Sequence, residues 1–364
     1  MRIGRWVVGG VVTALALTGC NTATRTDAAP RASASASTPA GLSCPSAMII
    51  GVVPAVQREP IAEVLDGYAK TCRNKGSASI QVKSTDESML MFRNALATWV
   101  AVAQPLPADQ LTGFSERCSG EPPRHLPTSA APLVVSWNLP GVDRLQLTPT
   151  VLARMLNGSI TRWDDPALKQ LNPGVPLPGV PVTAIHPEDS PGLLATVSDW
   201  LHTTAPADWP AAASAPWPGK GVPAQNLAAA VSQLGATPGA LTVLPQSYAR
   251  TNSLPAASID FGAGPVAPGP ESATKGLAAA SLAEGTDLRV TPKYAGAPAG
   301  AYPLNLINYQ VVCTNNVAKQ GPLLRDLVTY WVMPATQQSL GELGYTPVPE
   351  AWAQRIGERA KQLR

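Results

Sequence analysis

Short runs of apolar residues alternate along the chain with longer segments whose apolar residues recur every three or four positions. A short apolar run is typical of a buried strand, and the longer spacing is typical of an amphipathic helix. The alternation of the two patterns predicts an α/β fold with mostly parallel sheets. The predicted strands cover 47–53, 80–83, 98–103, 133–139, 181–186, 240–244 and 304–313.

Capping residues, prolines and glycines predict where the helices begin and end. Ser84 with Glu87 three residues later is a capping-box sequence, and Thr148 followed by Pro149 marks another helix start, which Gly158 should stop. Further helices are predicted from Pro60 onward and over 193–202, 227–234 (ended by Gly235) and 322–343, and loops are predicted over 205–224 and 253–271.

The start of the chain carries an export signal. Two arginines precede an apolar run over 6–17 that is too short to span a bilayer, and the run leads to Leu-Thr-Gly-Cys ending at Cys20. This pattern is typical of a bacterial lipoprotein, in which Cys20 becomes the first residue and its thiol carries diacylglycerol. An ordinary secretory peptide with cleavage nearby is the alternative. The sequence thus predicts a signal peptide over 1–19 and a flexible, lipid-anchored tether over 20–43 on the outer face of the cell membrane.

The charge composition argues against several kinds of partner. The 364-residue chain has a formal net charge of +3, part of which belongs to the arginines of the export signal. A nearly neutral mature chain without a basic run does not favour nucleic acid or a polybasic membrane patch. The three histidines are far apart in sequence and no His/Cys spacing fits a zinc site, so neither a metal nor another cofactor is expected.

Four cysteines follow the predicted tether, and export favours disulfides. Cys44 precedes the first predicted strand and Cys72 ends the helix after it, so the helix returns its end to the edge where the strand began. This geometry favours a Cys44–Cys72 bridge and leaves Cys118–Cys313 as the second. Four cysteines allow two other pairings.

Several short motifs lie beyond residue 130, and they carry a family resemblance. They read N-L-P-G-V at 138–142, N-G-S-I-T-R-W-D-D-P at 157–166, L-N-P-G-V at 171–175 and L-G-Y-T-P-V-P-E at 343–350. Through these motifs the sequence resembles the substrate-binding lipoproteins of phosphate-specific ABC transporters.

The resemblance implies a two-lobed periplasmic-binding-protein-like fold of type II with a ligand cleft between the lobes. The first lobe would comprise 44–135 with 304–364 and the second 136–303, with chain crossings near Val135 and Leu304. It also implies a small-molecule ligand such as phosphate or another anion and an ABC transporter permease as partner. A monomer is the default for a tethered binding protein of this kind.

The family's phosphate-binding segment, H-R-S-D-x-S-G-T, aligns with residues 186–193. Pro187 stands where the arginine is expected, Pro191 and Leu193 replace hydroxyl residues, and Ala103 stands where the family has a carboxylate. The resemblance therefore implies a phosphate-type cleft whose anion ligands are largely missing. The candidate ligand-binding residues that remain are Ser84, Thr85, Asp189, Ser190 and Gly192.

The sequence leaves two functions open. One is a solute-binding lipoprotein that captures phosphate or another anion for an ABC transporter, and the other is a non-transport surface module that binds a partner or acts as a sensor. An enzyme is not expected, because Asp164 and Asp165 suit a turn before a proline and Ser190 lies outside a G-x-S-x-G frame. A basic residue of another loop could replace the lost arginine; the candidates are Arg124, Arg144, Arg162 and Lys220.

Overall fold

The computed structural model describes residues 41–213, 217–316 and 320–364. The predicted signal peptide, Cys20 and most of the predicted tether lie outside these residues. In the first part of the chain the elements are β1 (Met48–Val53), α1 (Arg58–Thr71), β2 (Ser77–Val82), α2 (Thr85–Arg93), β3 (Trp99–Val102), α3 (Ala108–Gly113), β4 (Arg124–Trp137), β5 (Gln146–Leu147), α4 (Pro149–Leu156), α5 (Pro166–Leu171), β6 (Thr183–Pro187) and α6 (Pro191–Thr204). In the second part they are β7 (Val222–Ala224), α7 (Leu227–Ala236), β8 (Ala240–Pro245), α8 (Gln246–Thr251), β9 (Ser258–Asp260), β10 (Pro265–Val266), α9 (Pro270–Ala278), β11 (Ser281–Leu282), β12 (Val290–Thr291), β13 (Asn305–Val312), α10 (Gln320–Trp331), α11 (Pro334–Glu342) and α12 (Glu350–Ala360).

The largest sheet has eight strands in the order β2-β1-β3-β13-β4-β8-β6-β7. Its two ends are parallel, since β1 pairs with β2 and β3, and β6 pairs with β7 and β8. The middle is antiparallel, where β13 lies between β3 and β4 and β4 also pairs with β8. The predicted α/β fold is therefore confirmed. None of the described helices combines the length and the apolar character that crossing a bilayer requires.

Strand β4 connects the two parallel ends of this sheet. Its segment from Arg124 to Pro132 pairs with β13, and its segment from Leu133 to Trp137 pairs with β8. The strand predicted over 133–139 covers only the second segment. The first segment contains prolines, which normally argue against a strand interior. In the structure Pro127 and Pro132 both lie within the ladder, and the register shifts between Asn308 and Tyr309 of β13, which face Ser129 and Pro127, so that Thr128 is an extra residue of β4.

Close packing explains why β1 carries a glycine. The Trp99 indole of β3 lies against Gly51, and a Cβ added to Gly51 would fall 2.2 Å from that ring. The indole is fully buried, as are Ile49 and Val53 of β1. Val52 on the opposite face of β1 is also fully buried, which matches a parallel strand that is covered on both sides.

The predicted helix caps are present in the structure. Ser84 N donates to Glu87 Oε2, and Glu87 N donates to Ser84 Oγ, which completes the capping box of α2. The Thr148 hydroxyl accepts from Val151 N at the start of α4. Gly158 follows α4 with a φ of +76°, a conformation that glycine adopts without strain.

Both predicted disulfides are also present. Cys44–Cys72 joins the segment before β1 to the residue after α1, with Cα atoms 5.4 Å apart. Cys118–Cys313 joins the segment after α3 to the residue after β13, across 195 positions of sequence. The order of strand and helix was therefore sufficient to choose among the three pairings.

A buried carboxylate fixes the first described residues to α10. Asp326 is 1% exposed and accepts hydrogen bonds from the backbone N–H groups of Ser43 and Cys44, at 2.7 Å each. It also accepts from the Ser43 hydroxyl at 3.1 Å. The segment before β1 is thus attached to α10 close to the Cys44–Cys72 bridge.

Three predictions about helices and loops were wrong. The predicted helix over 322–343 is two helices, because Pro334 has no N–H to donate and Met333 before it is extended, with ψ of 141°. Helix α7 continues through Gly235, and the chain reverses instead at Gly239, where φ is +81°. The predicted loops contain the strands β7, β9 and β10 and the start of α9. Strands of two or three residues are too short to show a hydrophobic periodicity in the sequence.

Candidate functional site

The first turns of α2 and α6 meet the segment after β3 around a cavity of about 210 Å³. Thr85 and Ser88 of α2 line this cavity, together with Ser190 and Gly192 at the start of α6. We call it the apolar cavity, because its other lining residues are mostly hydrocarbon. They are Pro54, Val56, Met89, Ala101, Val102, Ala103, Gln104, Pro105, Leu106, Pro107, Pro191 and Ala195.

A second cavity of about 730 Å³ adjoins the first, and Thr85 and Pro191 line both. We call it the acidic cavity, because four of its described lining residues are carboxylates. Besides Thr85 and Pro191, the lining residues are Ala55, Val82, Lys83, Ser84, Asp86, Glu87, Glu188 and Asp189. The structure thus places all five predicted ligand residues at these two cavities. Their role in binding a ligand stays a prediction.

The apolar cavity is closed on one side by a contact between Ala103 and Gly192. A Cβ added to Gly192 would lie 2.6 Å from the Ala103 Cβ, so a glycine is required where the two segments approach. Gln104 Nε2 also donates to Thr196 Oγ1 at 2.6 Å, and that hydroxyl donates to the Gly192 carbonyl oxygen at 2.8 Å. An aspartate at position 103 would therefore need space that α6 already fills.

Ser190 and Asp189 form a local pair beside the first turn of α6. The Ser190 hydroxyl donates to Asp189 Oδ1 at 2.9 Å. Burial raises the pKa of the Asp189 carboxyl, and the hydrogen bond from Ser190 opposes that rise. Ser190 is consequently occupied by its neighbour, which leaves it less able to donate to a ligand.

Ser88 was missed by the sequence analysis. It is 2% exposed, it lines the apolar cavity, and its hydroxyl has no hydrogen-bond partner in the part of the chain that the structure describes. Its spacing of three from Thr85 places both on one face of α2, which is the signal that could have revealed it.

The basic residues considered as substitutes for the lost arginine lie elsewhere. Arg124 pairs with Gln362 and Glu121, and Arg162 pairs with Asp164. Lys220 lies against Gly158, and Arg144 is exposed. No arginine and no lysine occurs among the described residues that line the apolar cavity.

His125 fixes the position of one wall of the apolar cavity through a hydrogen bond to Leu106. His125 is fully buried; its Nδ1 donates to Asp287 Oδ1 at 2.7 Å, and its Nε2 accepts from Leu106 N at 2.8 Å. This network places the proton on Nδ1. Arg289 Nε also donates to Asp287, at 2.7 Å. The pair therefore fixes the backbone of a residue that lines the apolar cavity.

Acid should destabilise the protein through Asp287. Burial alone would raise the pKa of this carboxyl, but the hydrogen bonds from His125 and Arg289 outweigh it and lower the pKa to about 2. The resulting stabilisation is complete above the ordinary value of 3.8 and is lost as pH falls through 2. Between these values we expect Asp287 to account for a loss of about 2 kcal/mol in the free energy of unfolding.

Urea unfolding from pH 5 to pH 2 measures this contribution. The Asp287→Asn variant should be less stable than wild type near pH 5 and should approach it near pH 2. Asp66→Asn is the matched control, because it removes the charge of an aspartate that pairs with Lys70 on the surface, where an ion pair contributes little to stability. Parallel profiles for wild type and Asp287→Asn would rule out this role.

Comparisons with known proteins agree on one family. Residues 51–334 match the family described as the PBP superfamily domain. The Phosphate-binding protein PstS 3 of Mycobacterium tuberculosis is 30% identical over 69% of this chain and 70% of the relative. The Phosphate-binding protein PstS 2 of the same species is 31% identical over 66% and 67%.

Solved structures show the same fold. The phosphate-bound periplasmic phosphate-binding protein PfluDING superposes with a TM-score of 0.66 at 15% identity, covering 85% of this chain and 93% of that one. A phosphate-binding protein from Stenotrophomonas maltophilia gives 0.64 at 14% identity, with the same coverage. The resemblance found in the sequence motifs is confirmed. The chain belongs to the PBP superfamily, as a relative of the mycobacterial phosphate-binding proteins PstS 3 and PstS 2.

Proposed function

We propose that this protein is an extracytoplasmic solute-binding lipoprotein of the phosphate-binding type that delivers a small solute to an ABC transporter permease. The observation that carries the proposal is the position of the apolar cavity, whose lining includes Pro54 directly after β1, Ala103 directly after β3 and Ser190 in the turn after β6. In open α/β sheets, ligands bind in the crevice beyond the carboxyl ends of the strands. The relatives named for phosphate binding favour this function over a partner-binding or sensory module.

The proposed receptor has two lobes, 44–135 with 304–364 and 136–303. The support is the change of partner along β4, which pairs with β13 up to Pro132 and with β8 from Leu133. Strands that pass between lobes can serve as the hinge on which a binding protein closes. We propose that the mature chain is a monomer anchored through lipid at Cys20.

Phosphate itself should bind weakly. The apolar cavity offers hydrocarbon where a buried dianion requires charged donors, and losing one charged hydrogen-bonding partner costs about 2–5 kcal/mol. Since about 1.4 kcal/mol is a factor of ten in affinity, one lost arginine weakens phosphate binding by about two to three orders of magnitude. Proline at position 191 also removes an N–H group from the first turn of α6.

Thermal unfolding with a broad set of anions, sugars and neutral solutes tests the proposal. A ligand at 100 times its dissociation constant adds about 2.7 kcal/mol to the stability, so one class of solute should raise the midpoint clearly. Phosphate should produce no such shift at micromolar concentration, with a phosphate-binding relative as the positive control. Silence over the whole set would contradict a solute-binding role, and micromolar phosphate binding would contradict the altered site.

A further inference from the structure

The geometry points to the ligand class of this site: we propose that the apolar cavity takes a small uncharged organic solute with an apolar body and one hydroxyl, amide or carbonyl end. The inference rests on the proposed function, because it concerns the same cavity. It depends on three features of the described residues, namely the lining, one buried hydroxyl and the neighbouring charges.

The lining fits an apolar body. The segment after β3 contributes Ala103, Pro105, Leu106 and Pro107, and α2 contributes Met89 across from them. Burying a hydrocarbon group against these walls is favourable, because it removes apolar surface from water. An ion would lose its hydration water there without gaining hydrogen bonds in exchange. The volume of about 210 Å³ is below the range of about 300–1,000 Å³ that holds drug-sized ligands, so the solute is small.

Ser88 supplies the polar contact when its hydroxyl, which is closed off from solvent in this structure, turns into the cavity. Buried hydroxyls nearly always have a hydrogen-bond partner, yet the Ser88 hydroxyl has none among the described residues. Two other polar side chains of the wall already donate hydrogen bonds, Gln104 to Thr196 and Ser190 to Asp189, and Thr85 lies where the wall borders the acidic cavity. A serine hydroxyl both donates and accepts, so it matches a neutral alcohol, amide or carbonyl.

The charges next to the cavity disfavour an anion. Lys83 is the one cation among the described residues that line the adjoining acidic cavity, and four carboxylates line it with Lys83, namely Asp86, Glu87, Glu188 and Asp189. The N-termini of α2 and α6 attract negative charge, but the first turn of α2 already holds two of these carboxylates and Asp189 precedes α6. An anionic solute would meet repulsion there.

A cation is disfavoured for a different reason. The carboxylates line the acidic cavity, and no acidic residue is among the described residues that line the apolar cavity. A cation that entered the apolar cavity would lose its water without gaining a partner of opposite charge. An uncharged solute avoids both costs.

Calorimetric titration of the purified full-length protein with four probes tests the ligand class. Butanamide, butanoate and butylammonium share one carbon chain and differ in charge, and inorganic phosphate is the fourth probe. Butanamide should bind saturably and at least tenfold more tightly than the other three. Equal or tighter binding of butanoate, butylammonium or phosphate would overturn the inference.

Absence of butanamide binding would also overturn the inference, and the broader solute set then decides the proposed function separately. If another solute in that set stabilises the protein, the solute-binding function stands and only the ligand class is wrong. If no solute in the set stabilises the protein, both the solute-binding function and the ligand class are wrong.

Two variants test whether the solute occupies this cavity. Ser88→Ala should weaken butanamide binding about three- to tenfold through the lost hydrogen bond, and Ala195→Leu should abolish it by filling the cavity. Tyr68→Phe is the matched control, because the Tyr68 hydroxyl is equally buried, also lacks a partner among the described residues, and lies in α1 away from both cavities. Unfolding midpoints check that each variant folds. Equal affinities for Ser88→Ala and Tyr68→Phe would remove Ser88 from the site.

Discussion

Replacing Cys118 and Cys313 together by alanine is expected to lower the free energy of unfolding by about 4–5 kcal/mol. The bridge closes a loop of 195 positions, and constraining a long loop in the unfolded chain stabilises the folded state most. Both residues are fully buried beside the end of β13. The double variant should therefore retain the fold only as a much less stable protein.

The other disulfide provides the internal comparison. Cys44–Cys72 spans 28 positions, so alanine at both residues should cost only about 3.5 kcal/mol. Urea unfolding of both double variants without reductant measures the difference as a change in midpoint at similar slope. A greater loss for the short loop than for the long one would contradict the argument from loop length.

The Asp326→Ala variant should lose about 3–5 kcal/mol of stability. Hydrogen bonds to a charged group contribute about 1.5–3 kcal/mol each, and Asp326 accepts from two backbone N–H groups at 2.7 Å. Truncation removes both bonds and leaves the N–H of Cys44 buried without its acceptor. Asp326→Asn retains one acceptor oxygen and should cost about 1–2 kcal/mol.

Chemical unfolding measures this pair of variants, with Asp66→Ala as a control for removing a helical aspartate. Asp66 pairs with Lys70 on the surface of α1, and its loss should change stability by no more than about 0.5 kcal/mol. If Asp326→Ala were as stable as Asp66→Ala, the buried contacts of Asp326 would contribute nothing to folding.

Local chemistry made much of the fold predictable. The Ser84–Glu87 capping box and the proline after Thr148 act within one helical turn, so the sequence contains the whole interaction. The disulfides followed from strand and helix order alone. Pro334 carried an equally local signal for the helix break, and it was overlooked because apolar spacing continues across it.

Distant pairings could not be derived from one sequence. Strand β7 exists because Val222 pairs with Ile185 of β6, and a three-residue strand has too little pattern to detect. His125 and Asp287 are separated by 162 positions, so nothing near either residue indicates the other. Long-range contacts of this kind are set by tertiary packing rather than by local propensity.

The candidate ligand residues stay predictions, although the structure places Thr85 and Gly192 at one cavity. The sequence indicated these residues through a helix cap and through alignment to the family. It gave no indication that Ser88 would be buried there, or that Gly192 would press against Ala103. Alignment to a family identifies which of its ligand residues are replaced. The ligand that the changed site can bind depends on the side chains that line it, which only the structure shows.

The attachment of Cys44 determines how this protein would respond to mechanical load. Tension on the segment before Ser43 would reach α1 through the sulfur bridge and α10 through the Asp326 carboxylate. These helices contact each other through the edge-to-face rings of Tyr68 and Tyr330, 5.7 Å apart. Force is thus shared between two helices before it reaches the first hydrogen bonds of β1, and the strand is protected from being peeled away from its neighbours.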